Sequence, residues 1–328
     1  MRASEVQGAV ETLVRAGQPI YIWGPPGVGK SDVVRQAAAS LNRQVVDIRA
    51  LLLDPVDLRG LPRIGEDGRT SWSTPDFLPQ SGNGILFLDE LNAAPPLVQA
   101  ACYQLVLDRR IGDYHLPRGW SVVAAGNRET DRSVTHRMPS ALANRFTHID
   151  FEVRLEDWIS WALQEGMAPE VIAFLRFRPR LIHDFDPARN DKAFPTPRSW
   201  SFVSKILEVA EDDGLLKELI AGTVGPGAAA EFMGFLSACR ELPTAEILLA
   251  DPAGWRLPSD DPALLYALCE LLASHASPES FGAITQIAAD MPAEFSVLLI
   301  RDAVRKDASL VETPEFLDWA ENHAEILV

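Results

Sequence analysis

The residues most able to do chemistry begin with the octet GPPGVGKS at positions 24–31. Its spacing is G-x-x-x-x-G-K-[ST], in which glycines let backbone N–H groups wrap a phosphate. Lys30 then supplies a point charge for the β- and γ-phosphates, and the Ser31 hydroxyl is a ligand for Mg²⁺. Chance would produce this pattern on the order of once in a hundred chains of this length. We predict a phosphate-binding loop made of Gly24, Pro25, Pro26, Gly27, Val28, Gly29, Lys30, Ser31 and Asp32.

Two carboxylates and an amide end the apolar runs that follow. Asp89 and Glu90 close the run GILFL, and Asn127 follows the run WSVVAAG. Beside a phosphate loop, we expect Asp89 to hold Mg²⁺ through water and Glu90 to polarise the attacking water. Asn127 is placed to hydrogen-bond that water or the γ-phosphate. The competing interpretations are a solvated acidic turn for the carboxylates and a plain turn residue for Asn127. ATP and Mg²⁺ are the expected cofactors.

Short apolar strands must position these side chains. Runs at residues 19–23, 44–48, 84–88, 120–125 and 148–151 have the length and composition of buried strands. Helical spacing occupies residues 4–16, with Ser4 as N-cap, and residues 30–41 directly after the loop. This alternation predicts an α/β core with a five-stranded parallel sheet. Residues 51–72 hold several turn signals without a clean period, and residues 111–119 resemble a small hairpin-like insert.

The second half of the chain predicts helices alone. Residues 156–164, 169–178, 198–211 and 227–239 carry helical apolar spacing, and further helices follow between 263 and 322. We predict three parts: an α/β nucleotide-binding core over residues 1–153, an α-helical lid over residues 154–245, and a helical C-terminal extension over residues 246–328.

Composition and charge narrow the class of protein. Hydrophobic residues make up 47% of the chain, no run of about 18 apolar residues occurs, and the N-terminus lacks an apolar signal segment. Three widely spaced cysteines predict buried free thiols in a reducing, cytoplasmic compartment. The net charge is −16, and residues 1–150 hold 16 basic and 16 acidic residues, so the excess lies after residue 150. An acidic chain disfavours a general nucleic-acid surface. The excess predicts either solubility alone or docking of a basic partner.

In order and spacing, GPPGVGKS, ILFLDE, AAGNR, LANRF and PTPRS resemble the motifs of an AAA+ ATPase. The segment LDELNAAPPLVQAACYQLV is similar to the LDEINRA-type signature of the MoxR family. The resemblance covers residues 1–240 and is loose beyond them. It implies a P-loop AAA+ core followed by an all-α lid.

The resemblance also implies roles. Lys30 and Ser31 would bind phosphate and Mg²⁺, Asp89 would be the metal carboxylate, and Glu90 the general base. Asn127 resembles the first sensor, Arg145 an arginine finger acting on a neighbouring subunit, and Arg198 the second sensor carried by the lid. The family often has Pro where Arg128 stands, and Arg132 or Arg137 could share or replace the finger role. Residues 52–61 and 111–119 are candidates for pore-facing loops.

The family's biology adds expectations about partners. It implies a homo-oligomeric ring, usually a hexamer, that remodels or activates a client protein, for instance a metalloenzyme, together with a von Willebrand factor A domain protein. Two alternatives stay open. One is a nucleic-acid-associated motor or restriction-type NTPase of the same superfamily, and the other is a scaffold that binds nucleotide without hydrolysing it.

Overall fold

The computed structural model of the protein describes residues 1–131, 136, 138–210 and 212–323, which form two units. The first unit contains Met1–Asp157 and Asp186–Asp191, and the second contains the rest of the described chain. The predicted cut at residue 153 lies near the first boundary, whereas residues on both sides of 245 belong to the second unit. The division into lid and extension therefore stays a prediction. Arg132 and Arg137 lie outside the described residues.

The first unit holds nine strands and five helices among its described residues. The strands are β1 (Ile20–Trp23), β2 (Gln44–Arg49), β3 (Leu61–Ile64), β4 (Thr70–Ser73), β5 (Asn83–Asp89), β6 (Arg110–Ile111), β7 (Tyr114–His115), β8 (Gly119–Gly126) and β9 (Thr147–Asp150). The helices are α1 (Ala3–Arg15), α2 (Lys30–Ser40), α3 (Pro55–Arg59), α4 (Pro96–Asp108) and α5 (Ser140–Ala143), with 3-10 turns at Ala50–Leu52 and Glu129–Asp131.

Five of these strands form one sheet in the order β2-β5-β8-β1-β9. Every pairing in it is parallel, with Trp23 opposite Gly126 and Arg49 opposite Asp89. The predicted five-stranded parallel sheet is therefore confirmed. Since the strands are parallel, the carboxyl ends of β1, β5 and β8 meet at one edge, which is where open α/β sheets bind ligands.

Apolar side chains cover both faces of the middle of this sheet, which explains why β1, β5 and β8 are nearly continuous apolar runs. In the edge strands only Ile48 of β2 and Ile149 of β9 are buried. Alternate residues point to opposite faces. Ile20, Ile22 and Phe87 pack with α1 and α2 on one face. Tyr21 and Leu86 pack with α4 on the other. The sheet is thus the middle of three layers.

All regular elements described after residue 154 are helical, as predicted. They are α6 (Leu155–Gln164), α7 (Pro169–Phe177), α8 (Pro197–Val209), α9 (Asp213–Val224), α10 (Pro226–Cys239), α11 (Ala245–Ala250), α12 (Pro262–Ser274), α13 (Phe281–Ala289), α14 (Ala293–Lys306) and α15 (Pro314–Asn322), with 3-10 turns at Pro179–Ile182 and Ala308–Glu312. Phe174, Trp200 and Phe232 form one aromatic core, with ring centroids 5.0–5.6 Å apart. A second apolar cluster joins α12, α13 and α14.

Residues 51–72 are more regular than the sequence indicated. They contain α3, β3 and the start of β4, and β3 and β4 form an antiparallel hairpin. The strands show no apolar alternation because Leu61 and Ile64 are 65% and 80% exposed, so neither face is selected for burial. Gly60 leads into the hairpin at φ 83°, where a Cβ would lie 1.8 Å from the Ser73 carbonyl oxygen. The predicted insert at 111–119 does contain a hairpin, formed by β6 and β7.

Two smaller expectations change. Ser4 is not an N-cap, because its N–H and hydroxyl both donate to Asp157 Oδ2, and α1 begins one residue earlier. The cysteines are free as predicted, but Cys239 is only half-buried, whereas Cys102 and Cys269 are buried. Burial raises the pKa of the Cys102 thiol to about 12, which keeps it protonated.

No helix within the described residues has the length and apolar character needed to cross a bilayer.

Candidate nucleotide site

The phosphate loop runs from the end of β1 to the start of α2, as the octet predicts. Gly27 and Gly29 have φ values of 76° and 93°, which L side chains rarely adopt, so glycine is needed at both positions. Gly29 is the N-cap of α2, which directs the positive end of that helix at the loop. Lys30 is the first residue of α2. Its Nζ donates to the carbonyls of Gly24 and Pro25 at 2.6 and 2.9 Å.

A hydroxyl and a carboxylate meet next to Lys30. The Ser31 hydroxyl donates to Asp89 Oδ2 at 3.1 Å, although the two residues are 58 positions apart. A hydroxyl and a carboxylate are both hard oxygen donors, and Mg²⁺ binds with few protein ligands plus phosphate and water. Ser31 and Asp89 thus fit Mg²⁺. Within the described residues no group of three or more His, Cys, Asp or Glu side chains could form an all-protein cage. Asp32 lies outward and pairs with Arg35 at 2.7 Å.

Glu90 occupies a left-handed backbone conformation, with φ 56°. Few residues other than glycine adopt this region, and such strain is concentrated at functional sites. The turn is held by Glu90 N–H donating to Asp89 Oδ1 at 2.9 Å and by Leu91 N–H donating to the Ala125 carbonyl at 3.0 Å. The chain therefore bends sharply after β5, and Glu90 remains half-buried at the sheet edge.

Asn127 follows β8 and meets the phosphate loop directly. Its Oδ1 accepts a hydrogen bond from Lys30 Nζ at 3.0 Å. The preceding Gly126 carbonyl accepts from Gly24 N–H at 3.2 Å. The predicted set of Lys30, Ser31, Asp89 and Asn127 is therefore brought together, with Glu90 adjacent to Asp89 in the chain.

The three arginines of interest occupy different settings. Arg128 is anchored, because its N–H donates to Asp131, its Nη2 donates to the Phe151 carbonyl at 3.1 Å, and its Nε lies 3.6 Å from Asp150. Arg145 follows α5 in the first unit and is exposed. Arg198 is also exposed and lies in the first turn of α8 in the second unit. Arg145 and Arg198 are therefore both accessible, each within its own unit.

The Arg198 helix begins as its sequence predicts. Thr196 is the N-cap, and its hydroxyl accepts from Ser199 N–H at 3.0 Å. Ser199 Oγ in turn accepts from Thr196 N–H at 2.7 Å, which completes a reciprocal capping box. Pro197 occupies the first helical position, where its missing N–H has no cost. The motif PTPRS therefore fixes where α8 starts and holds Arg198 one residue later.

Sequence reasoning missed one polar residue of this site. Asn92 is 2% exposed, and its Nδ2 donates to the Asn127 carbonyl at 2.7 Å. The available signal was a polar residue between the apolar Leu91 and Ala93, two positions after Glu90. Such a residue close to buried strands needs a hydrogen-bond partner, which would have directed attention to the end of a neighbouring strand.

The sheet order, the phosphate loop after β1 and the acidic end of β5 define an AAA+ P-loop fold. Residues 19–146 match the family model described as AAA domain (dynein-related subfamily), in agreement with that fold.

Among solved structures, the chain is similar to NtrX from Brucella abortus in complex with ATP, at 16% identity over 99% of this chain and 67% of that chain, with a TM-score of 0.42. It is also similar to the RuvB Holliday junction branch migration motor of Thermotoga maritima, at 16% identity over 81% of this chain and 80% of that chain, with a TM-score of 0.39. Since both TM-scores are below 0.5, the domain assignment depends on the family match and the strand order.

Proposed function

We propose that this protein is an ATPase that hydrolyses ATP with Mg²⁺. The observation that carries the proposal is the hydrogen-bonded group at the sheet edge, in which Lys30 reaches Asn127 and Ser31 reaches Asp89. A phosphate-binding loop alone would support binding only. A carboxylate next to the metal pair and an amide facing the lysine are the additional groups that hydrolysis requires.

Each residue has a chemical task in this proposal. The glycine loop and the α2 N-terminus bind the phosphates, and Lys30 neutralises their charge. Ser31 and Asp89 would hold Mg²⁺, which when bound neutralises charge between the β- and γ-phosphates. Glu90 accepts the proton of the attacking water, and Asn127 orients that water or the γ-phosphate. The polar groups are half-buried, which strengthens these electrostatic contacts relative to bulk water.

Two variants separate binding from turnover. Lys30→Ala should abolish nucleotide binding because it removes the main charge on the phosphates. Glu90→Gln should retain binding and lose turnover, because an amide keeps the shape and loses the proton acceptor. Phosphate release measures turnover and a fluorescent ATP analogue measures affinity. The control is Glu294→Gln, the same change at an exposed position of α14. Equal loss of affinity in both site variants would contradict these roles, and a Glu90→Gln enzyme with full turnover would refute Glu90 as the base.

We further propose that the chain acts as a MoxR-type chaperone in a cytoplasmic ring, a hexamer by resemblance, that remodels a client together with a von Willebrand factor A domain partner. The LDELNA signature and the exposed Arg145 support this proposal. The mass of the ATP-bound Glu90→Gln variant, measured by light scattering, tests the ring. A monomer at working concentration would refute the ring and, with it, an arginine acting between subunits.

Arg128 does not support the alternative of a nucleic-acid motor. It contacts Asp131, Asp150 and the Phe151 carbonyl within its own unit, so it is not available for a phosphate backbone. ATPase activity measured with and without single- and double-stranded DNA decides this alternative, since strong stimulation would favour the motor. The scaffold alternative predicts that wild type and Glu90→Gln release phosphate equally slowly.

A further inference from the structure

Asn92 connects the two strand ends that carry the hydrolytic groups. It lies two residues after Glu90, in the turn that follows β5, and its side chain is 2% exposed. Its Nδ2 donates to the carbonyl of Asn127 at 2.7 Å. The backbone carbonyl of Asn92 accepts a hydrogen bond from the backbone N–H of His136 at 2.7 Å. One buried amide side chain therefore fixes the turn bearing Glu90 against the residue that faces Lys30.

The orientation of this amide follows from chemistry. A carbonyl oxygen can only accept a hydrogen bond, so the Asn92 atom 2.7 Å from the Asn127 oxygen must be the nitrogen. The Asn92 Oδ1 then lies beside Gly126. A Cβ on Gly126 would lie 2.0 Å from that oxygen and 2.2 Å from the Tyr21 hydroxyl. Asn92 can therefore lie this close to β8 only because residue 126 is a glycine without a Cβ.

Tyr21 closes the other side of this contact. It is fully buried, and burial raises the pKa of its phenol, so the ring stays neutral. Its hydroxyl lies against Gly126 together with the Asn92 amide oxygen. Tyr21 belongs to β1, Gly126 to β8 and Asn92 to the turn after β5. All three neighbouring strands that form the nucleotide edge thus meet at Asn92.

The two contacts to Asn127 differ in permanence. Lys30 holds the Asn127 side chain, and Lys30 is also the group that must reach a phosphate. Asn92 holds the backbone carbonyl of Asn127, whereas it is the Asn127 side chain that we expect to reach the water or the γ-phosphate. When Lys30 turns to phosphate, the Asn92 contact remains to keep Asn127 in place relative to Glu90.

We propose that Asn92 is a positioning residue for hydrolysis, which sets the distance between Glu90 and Asn127 by fixing the Asn127 backbone. The inference rests on the proposed ATPase function. It assigns Asn92 no contact with ATP, so its loss should slow turnover without weakening nucleotide binding. Small displacements of catalytic groups have large effects on rate, because the reacting atoms must be held within a fraction of an ångström.

The test variant is Asn92→Leu, which keeps the volume and removes both hydrogen-bonding atoms. We expect kcat to fall about tenfold or more, while affinity for a fluorescent ATP analogue changes by less than about threefold. Asn83→Leu is the matched control, because Asn83 is an exposed residue at the opposite end of β5. Circular dichroism establishes folding. If Asn92→Leu does not fold, Asn92→Ala replaces it, because a methyl side chain cannot donate to the Asn127 carbonyl.

A double-mutant cycle distinguishes positioning from general damage. If Asn92 acts through Asn127, the Leu substitution should lower kcat no more than about twofold further in an Asn127→Ala background. Independent, multiplicative losses would overturn the proposal, as would a kcat for Asn92→Leu equal to that of the wild type. A tenfold loss of nucleotide affinity would also overturn it. A wild-type protein without ATPase activity would overturn the proposed function and this role together. An active wild type in which the two substitutions lower kcat by independent, multiplicative factors would overturn this role alone.

Discussion

Removal of Arg176 should destabilise the helical unit far more than removal of an arginine two residues away. Arg176 of α7 is 7% exposed, and its Nη1 lies 2.6 Å from Glu270 Oε1 of α12. The same nitrogen contacts Asp302 of α14. Burial lowers the pKa of the guanidinium, and Glu270 and Asp302 outweigh that effect and raise it. One buried cation therefore joins three helices.

The magnitude follows from the two carboxylates that Arg176→Met would leave behind. Deleting one member of a buried ion pair costs about 3–5 kcal/mol, because the partner charge stays buried. Two half-exposed arginines offset part of this cost at Asp302, Arg301 at 3.6 Å and Arg305 at 3.5 Å. Glu270 has no such neighbour within ion-pair distance among the described residues. We expect a loss of about 3 kcal/mol at pH 8.

The loss should shrink at low pH. Burial raises the pKa of Glu270 from 4.5 to about 7, and Arg176 acts in the lowering direction. Without Arg176 this pKa rises further, so at pH 5 the folded variant carries a neutral Glu270 and avoids much of the cost. The remaining cost then comes from Asp302, which has lost its contact with Arg176. The difference between variant and wild type is therefore largest above the Glu270 pKa.

Urea unfolding of the full chain at pH 5 and pH 8, followed by circular dichroism, measures the effect. Hydrogen exchange in α12 and α14 localises it. The control is Arg178→Met, because Arg178 forms an exposed ion pair with Glu231 at 2.9 Å, and such pairs contribute about 0–1 kcal/mol. If Arg176→Met is as mild as Arg178→Met at pH 8, or costs the same at pH 5 and pH 8, the reasoning is refuted.

Three further outcomes are expected. Glu270→Gln should flatten the pH dependence of the free energy of unfolding. In the wild type, the Glu270 carboxyl contributes fully to stability below pH 4.5 and loses this contribution as the pH rises through its folded-state pKa of about 7. Urea titrations should show this as a change of roughly 3 kcal/mol. Gly126→Ala should abolish turnover and lower the melting temperature because its Cβ meets Asn92 and Tyr21, whereas Gly222→Ala, with open space around it, should do neither. Arg145→Ala subunits mixed with Glu90→Gln subunits should regain ATPase activity that neither variant has alone, since a mixed interface can hold one intact site. In the control for subunit exchange, Arg15→Ala subunits replace the Arg145→Ala subunits in the same mixture. No regain despite proven mixed rings would reject Arg145 as the residue acting between subunits.

The predicted parts of the site are those that local sequence determines. Gly27 and Gly29 must turn the loop, and Lys30 must open α2, whatever surrounds them. Asp89 and Asn127 each follow an apolar run, and parallel pairing of β5 and β8 brings such ends to one edge. The middle strands β1, β5 and β8 are predictable because burial on both faces makes them continuous apolar runs.

The missed parts depend on contacts between distant segments. The β3–β4 hairpin has no periodic pattern because Leu61 and Ile64 both face solvent. The left-handed conformation of Glu90 is set by the Leu91 hydrogen bond to Ala125, which no local signal indicates. A strained non-glycine residue can be found only after the sheet is assembled.

The buried charges of the helical unit illustrate the same limit from the opposite direction. Arg176, Glu270 and Asp302 are charged residues among the mainly apolar buried residues of α7, α12 and α14. Their burial becomes intelligible only as a group, since one guanidinium offsets two carboxylates that would each be unstable alone. We expect apolar replacement of all three to preserve stability and each single replacement to lower it. The contacts of Arg176 with Glu270 and Asp302 therefore form one unit across α7, α12 and α14, in which each charge depends on the others.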